Sequence, residues 1–289
     1  MNHTPRTFIK VLILALCLLP SACSQNWSQF RGERGIGFVD NANIPVKWDV
    51  EKNEKVKWKT EIPGLGHSCP VIWQDKIFVT TAISASGNDG LKIGLYGDID
   101  EDADESVHQF RVYCLDKKTG KIIWNYLAHE GVPITKRHTK SSHANPTPAT
   151  DGKHLLVFFG SEGLYCLDLD GKLLWKKDLG RLNAGPYNMP EIEWGMAASP
   201  VIYKDKVVIQ ADVVEQSFLA CFDIHSGDEL WRSNRDEIAS WGSPNVYDDG
   251  DPVQVIVNGW KHMGGYNIEN KVHSNAFSKS TFYHSDCCT

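Results

Sequence analysis

"YCLDKKTGKIIW", Tyr113 to Trp124, pairs two short apolar runs across a Thr-Gly turn and closes on a tryptophan. The phrase returns as "YCLDLDGKLLW" at Tyr165 to Trp175 and as "ACFDIHSGDELW" at Ala220 to Trp231. Each copy holds an aspartate (Asp116, Asp168, Asp223), a turn glycine (Gly120, Gly171, Gly227) and a closing tryptophan (Trp124, Trp175, Trp231). Glycine suits the φ > 0 position of a tight hairpin, and tryptophan supplies a broad face to bury. A looser copy, "WDVEKNEKVKW", ends at Trp58.

A second phrase precedes each copy: "CPVIWQDKIFV" at Cys69, "NPTPATDGKHLLVFF" at Asn145, "SPVIYKDKVVI" at Ser199 and "SPNVYDDGDPVQVIV" at Ser243. The register places an aspartate five residues after a proline in all four: Pro70/Asp75, Pro146/Asp151, Pro200/Asp205 and Pro244/Asp249. Joined, the two phrases make a unit of four short antiparallel strands. One such sheet cannot bury both its faces, but neighbours stacked around an axis can, so the sequence predicts an all-β protein, a β-propeller of four-stranded blades. A sandwich of the immunoglobulin kind would not repeat one phrase at blade-sized intervals. Only about four to five blades are present, where about 45 residues per blade and seven or eight blades need well over 300 residues. The propeller is read as residues 23 to 268. The segment 269–289 is read as a non-repeat tail, disordered or frame-shifted in a truncated product.

The spacing Cys114, Asp116, Thr119, Gly120, Trp124 resembles the A-x-D-x-x-T-G-x-x-x-W tryptophan-docking repeat of PQQ-binding-like β-propellers, with Cys in place of Ala. "NWSQFRGERGIGF" resembles the W-x-Q-F-R-G stretch that precedes many of them. That superfamily contains quinoprotein alcohol dehydrogenases, which use pyrroloquinoline quinone (PQQ) and Ca²⁺. It also contains non-catalytic lipoproteins similar to the propeller of the outer-membrane β-barrel assembly machinery. The resemblance implies the fold strongly and the activity weakly, because the docking residues are structural.

Residues 1 to 22 read as an export signal: Arg6 and Lys10 precede the apolar run Val11 to Leu19, too short to span a bilayer permanently. "LPSAC" then resembles a lipobox ending at Cys23, with Pro20 and Leu19 out of the usual order; the alternatives are lipidation of Cys23 or ordinary cleavage and release. Either places the protein outside the cytoplasm, in the periplasm or anchored to the outer membrane, or otherwise secreted. Cys114, Cys166 and Cys221 occupy equivalent positions in successive sheets, about 10 Å apart, beyond the ~7 Å reach of a disulfide, and read as small buried hydrophobes. A net charge of -6, with lysine and arginine scattered, argues against nucleic acid.

The long connections, Ser84 to His108, 127–145 and 176–199, all emerge on one face of such blades, and the opposite face has only tight turns. Binding is expected on the long-loop face. Three residues ahead of each repeated proline stand His67, His143, Ala197 and Trp241, expected to ring the central funnel; the two histidines invite a metal or acid-base reading, against a polar lining that hydrogen-bonds loop backbone. "KRHTKSSHAN" adds His138 and Lys140 as an oxyanion or small-ligand cluster, against a polar loop capping itself, and Trp194 with Trp241 could floor a planar ligand, against packing of the loop base. "DIDEDADE", Asp98 to Glu105, fails the EF-hand pattern, with Ala103 and Gln109 at its sixth and twelfth positions, and reads as a solvated acidic loop. No metal site and no cofactor are assigned. Among quinoprotein features, Glu193 and Asn188 fall in a funnel loop, and the adjacent Cys287 and Cys288 lie outside any blade. The reading is therefore a ligand-binding or protein-scaffold module, acting in envelope or outer-membrane protein assembly. The alternative is a PQQ-dependent dehydrogenase using PQQ and Ca²⁺, or a degenerate relative.

Overall fold

The computed structural model of the chain describes residues 26–39, 44–87, 91–94 and 99–270, and the backbone of 273–278. The export segment, Cys23, Cys287 and Cys288 lie outside the described residues.

Four sheets of four antiparallel strands follow one another along the chain. The first comprises β1 (Val71–Trp73), β2 (Lys76–Ser84), β3 (His108–Asp116) and β4 (Ile122–Gly131). The second comprises β5 (Ala149–Thr150), β6 (His154–Phe158), β7 (Leu164–Asp168) and β8 (Leu173–Lys177). The third holds β9 (Val201–Tyr203), β10 (Lys206–Ala211), β11 (Phe218–Asp223) and β12 (Glu229–Asn234). In the fourth are β13 (Asn245–Tyr247), β14 (Gln254–Asn258), β15 (His262–Asn267) and β16 (His273–Ser278). The first strands β1, β5, β9 and β13 adjoin in sequence, so the sheets converge on their inner edges as propeller blades do.

Alternation along the strands builds the core. In the second sheet Leu155, Val157, Tyr165 and Leu167 face the first sheet, packing with Phe78, Phe110 and Cys114. Their neighbours Leu156, Phe158, Leu164 and Cys166 face the third, against Val207, Ile209 and Phe222. Each central strand is thus apolar on both sides, as burial between two sheets requires. Cys114, Cys166 and Cys221 are buried free thiols, and burial pushes each up to about 12.

The opening phrase supplies the joints between blades. Each third-to-fourth strand pairing slips at an equivalent place, after Cys114, Cys166, Cys221 and Gly265, leaving one extra residue (Ile123, Leu174, Leu230, Ser274) in the outer strand; the first blade has a second slip after Phe110. Such a bulge re-aims the next side chain, and in three blades that side chain is the tryptophan. Trp58, Trp124, Trp175 and Trp231 donate their indole N–H to the carbonyls of Lys117, Leu169, Ile224 and Ile268 of the following blade, at 3.0, 3.1, 2.7 and 2.8 Å. Each acceptor directly follows a docking aspartate or, in the fourth blade, Asn267. The indole of Trp175 lies against Gly227, where an added Cβ would meet it at 2.7 Å; Gly120 and Gly171 receive Trp58 and Trp124 in the same way. All three glycines have positive φ, so the position needs glycine twice over. The aspartates fix the turns: Asp168 Oδ1, for example, accepts the N–H of Asp170 and of Lys172, both at 2.9 Å.

One register differs from the sequence reading. Pairing of Ala149 with Leu156, itself opposite Cys166, matches Val71 with Phe78 opposite Cys114. Pro148, not Pro146, therefore stands where Pro70, Pro200 and Pro244 do: the hairpin has the same length as in the first blade, seven residues from Ala149 to Leu156 as from Val71 to Phe78, but Asp151 enters it two positions earlier than Asp75 does. Strand β16 also lies beyond the expected boundary at 268; backbone pairing with β15 supplies it without a turn glycine or a closing tryptophan.

Candidate functional site on the loop face

The two faces differ as expected from loop lengths. The turns at Gln74, Gly120, Gly171, Lys204 and Gly227 are tight, while the long connections fold over the other end of the sheets. The stretch around Glu101 is no solvated loop. Asp102 is buried against Arg137 at 2.6 Å, Glu101 pairs with Lys136 at 2.7 Å, and the backbones of Asp102 and Thr139 bond to Arg137 and Asp100. Burial alone would raise the Glu101 carboxyl, but Lys136 and the Glu193 N–H outweigh it and hold it below its usual range. Asp104 is held low in the same way, burial being outweighed by the hydroxyls of Ser84, Ser106 and Ser86 and the Ser106 N–H. Composition alone had hidden this, because the cations that neutralise the acidic run sit on the 127–145 connection.

At the centre of this face a cavity of about 350 Å³ opens at the starts of the inner strands. The corrected register puts His67, Asn145, Ala197 and Trp241 at equivalent positions, and all four line it. Lys140 contributes from the 127–145 connection. Below them Thr147, Ser199 and Ser243, the residues before the repeated prolines, form a ladder between blades. The Cys69 N–H donates to Thr147 Oγ1 at 3.0 Å, the Thr147 N–H to Ser199 Oγ at 2.9 Å, and the Ser199 N–H to Ser243 Oγ at 2.9 Å. Cys69 holds the first rung and is exposed to the cavity.

The remaining wall comes from Ser141 and, outside the blades, from Phe30. Its segment runs along the inner strands: Trp27 pairs with Ile72, Ser28 accepts the Thr150 N–H at 2.8 Å, and Arg34 reaches Asp249 at 3.2 Å. The stretch "NWSQFRGERG" thus links the first, second and fourth blades and closes one side of the funnel.

Of the six residues singled out from sequence, His67, Lys140 and Trp241 line this cavity. Trp194 lies behind Trp241, ring centroids 5.8 Å apart and planes 30° apart, and His138 meets Trp194 edge-on at 4.8 Å. Their indoles are committed to backbone, Trp194 to Ile99 O and Trp241 to Gly195 O, both at 3.0 Å. His138 Nδ1 accepts the Lys140 N–H at 2.9 Å and so sets the loop that presents Lys140. His143 is not in the funnel. Counting from Pro146 displaced the position by two residues; Asn145 occupies it, and His143 packs against His108 and Phe110 at 5.1 and 6.0 Å. Burial, then the charges of His108 and Arg137, push the His143 imidazole down to about 3. His67 is also lowered, by burial and then Arg137, which favours a neutral ring at the cavity. Sequence reasoning missed Phe30, Asn145 and the hydroxyl ladder; the small hydroxylated residue before each repeated proline was the available signal.

Ca²⁺ takes six to eight oxygen ligands, carboxylates prominent among them. No aspartate or glutamate lines the funnel among the described residues. Glu193 is engaged by the Lys136 N–H and by Arg181, and Asn188 lies exposed in a turn. The lining does not fit Ca²⁺.

Among solved structures the chain is similar to quinohemoprotein alcohol dehydrogenase from Comamonas testosteroni, with 13% identity and a TM-score of 0.54, over 88% of this chain and 41% of that one. It is similar to quinohemoprotein alcohol dehydrogenase ADHIIG from Pseudomonas putida HK5, with 14% identity and a TM-score of 0.49, over 88% and 40%. BamB from Moraxella catarrhalis matches with 14% identity and a TM-score of 0.40, over 77% and 66%. The chain spans about two fifths of the length of the dehydrogenases it matches. At these identities the Comamonas likeness shows the fold alone. A search of curated protein sequences finds no match. The family described as outer membrane protein assembly factor BamB matches residues 108–259, more than half of the chain, and the chain belongs to that family.

Proposed function

We propose that this propeller is an exported scaffold module that recognises a partner through its loop face, in the assembly of the envelope or outer membrane. The observation that carries this reading is the asymmetry of the faces: the long connections converge on a lined cavity while the opposite turns are tight and self-capped. The family's description as an assembly factor supports the setting. Export through residues 1–22, with Cys23 as lipid anchor or the chain released, belongs to the same proposal. Its test is retention of a partner from envelope membrane extracts. Wild type and Lys118→Glu, on the tight-turn face, are expected to retain the same protein, and Trp241→Ala to lose it. Equal retention by all three, or none by wild type, overturns the proposal.

A further inference from the structure

The turn between β6 and β7, Gly160–Glu162, holds two of the long connections of the loop face, and it holds them by unlike chemistry. On one side Ser161 Oγ accepts the Leu182 N–H at 2.9 Å, which ties down 176–199 through uncharged groups. On the other side Glu162 Oε1 accepts the Ile134 N–H at 2.9 Å, which ties down 127–145 through a carboxyl. The turn itself is fixed. Gly160 and Gly163 have φ of 64° and 112°, and the Tyr165 hydroxyl donates to Glu162 O at 2.8 Å.

Little else secures the stretch around Ile134. The side chains of Val132 and Ile134 are half exposed, so their burial adds little, and the next backbone tie is the Lys136 N–H to Glu193 Oε2 at 2.7 Å. Glu162 is buried beneath this stretch, beside a small cavity that it lines with Thr135, Ser142, His143 and Ser161. The 176–199 connection brings only Gly195 and Met196 to that cavity, so no charge comes from that side. Lys136, Arg137 and Arg181 are engaged by Glu101, Asp102 and Glu193. The titratable groups that face Glu162 are therefore His143, kept neutral by burial, and Tyr165. A carboxylate placed there loses more hydration than one N–H returns. In agreement, burial outweighs the Ile134 N–H and pushes the carboxyl up to about 7.

We infer that the turn Gly160–Glu162 is a proton-operated clasp: protonated Glu162 holds the stretch around Ile134 down, and ionised Glu162 lets it open more readily while Ser161 keeps the other connection in place. In the opened stretch Glu162 meets water and titrates at its ordinary 4.5. Opening is thus least favoured below pH 4.5 and grows more favoured as pH rises to about 7. The stretch leads into the part of the connection that carries Lys140, Ser141 and Asn145 to the funnel wall. The clasp acts on the recognition face proposed above, yet its test needs no partner.

That test is amide hydrogen exchange of the full chain at pH 5 and pH 8, each rate taken relative to an unstructured amide at the same pH. Protection of the Ile134 amide is expected to fall about fiftyfold between the two, while that of the Leu182 amide changes by less than about threefold. In Glu162→Gln, which keeps an acceptor and cannot ionise, the step at Ile134 should vanish. Should that variant fold poorly, the comparison of the two amides in wild type still decides. No step at Ile134, a step of the same size at Leu182, or an unchanged step in Glu162→Gln overturns the inference.

Discussion

The tryptophan joints and the funnel wall are built at equivalent positions of successive blades, yet the first repeat and the second do not. Trp58, Trp124, Trp175 and Trp231 all donate to a carbonyl one blade onward, whereas His67, Asn145, Ala197 and Trp241 share a position and nothing else. A joint must bury the same flat surface against the same turn each time, so its chemistry is fixed by packing. The wall side chains make no common contact: Asn145 donates to Met196 O and Trp241 to Gly195 O, so no single packing requirement fixes their identity. Changes at the joints should therefore cost stability, and changes at the wall should cost recognition.

The largest effect is expected at the joint between the second and third blades. Trp175 is buried, and its indole both covers Gly227 and satisfies Ile224 O at 2.7 Å. Trp175→Ala should lower unfolding stability by about 4 kcal/mol, the range for truncating a buried aromatic, read as a shift of the urea midpoint at constant slope. A loss of under about 1 kcal/mol would show that the blades are held by their sheet faces alone.

Next comes a group on the loop side whose burial is unfavourable. Glu162 lies beneath the connection 132–137, where its Oε1 accepts the Ile134 N–H at 2.9 Å, and burial pushes its carboxyl up to about 7 from an ordinary 4.5. The titratable groups facing it are His143, across a small cavity, and Tyr165, whose hydroxyl donates to its backbone carbonyl at 2.8 Å. Between pH 4.5 and 7 the folded carboxyl keeps a proton that the unfolded chain releases. Stability from this group is therefore whole below 4.5, falls as pH rises, and is lower by about 3 kcal/mol above 7. Glu162→Gln, which keeps an acceptor for Ile134, should match wild type near pH 4.5 and exceed it by about that amount at pH 8 in urea melts. His143, held neutral in the fold, destabilises in the opposite direction as pH falls below 6.5, and cancels in the difference between the two proteins. A pH-independent difference would break the account of Glu162 as a buried, uncompensated acid.

This contrast also explains what could be read from sequence. The docking phrase was legible because its turn demands an aspartate cap, a positive-φ glycine and a large closing ring, three requirements that few other sequences meet. Even Trp58, in the loosest copy, makes the joint. The funnel was only partly legible. His67, Lys140 and Trp241 were found from loop position, but two prolines stand at the second blade, and spacing to Asp151 favoured the wrong one. The structure chooses Pro148 because Thr147, not Asn145, continues the ladder. Phe30 belongs to a segment far from the blades in sequence, and no periodicity ties it to the axis.

The smallest effect is expected at the turn that receives Trp124, and it separates the ring from the turn as the source of the joint. Asp168 Oδ1 holds the N–H groups of Asp170 and Lys172, and Trp124 covers Gly171 and donates to Leu169 O inside that turn. The capped N–H groups lie near solvent, so water replaces the lost acceptor, and Asp168→Ala should cost about 1 kcal/mol, as loss of a comparable cap does at a helix N-terminus. Asp168→Asn, which keeps the acceptor, should recover most of it. If Asp168→Ala instead costs as much as Trp175→Ala, the indole contact depends on a preformed turn, and the joint is set by the aspartate rather than by the tryptophan.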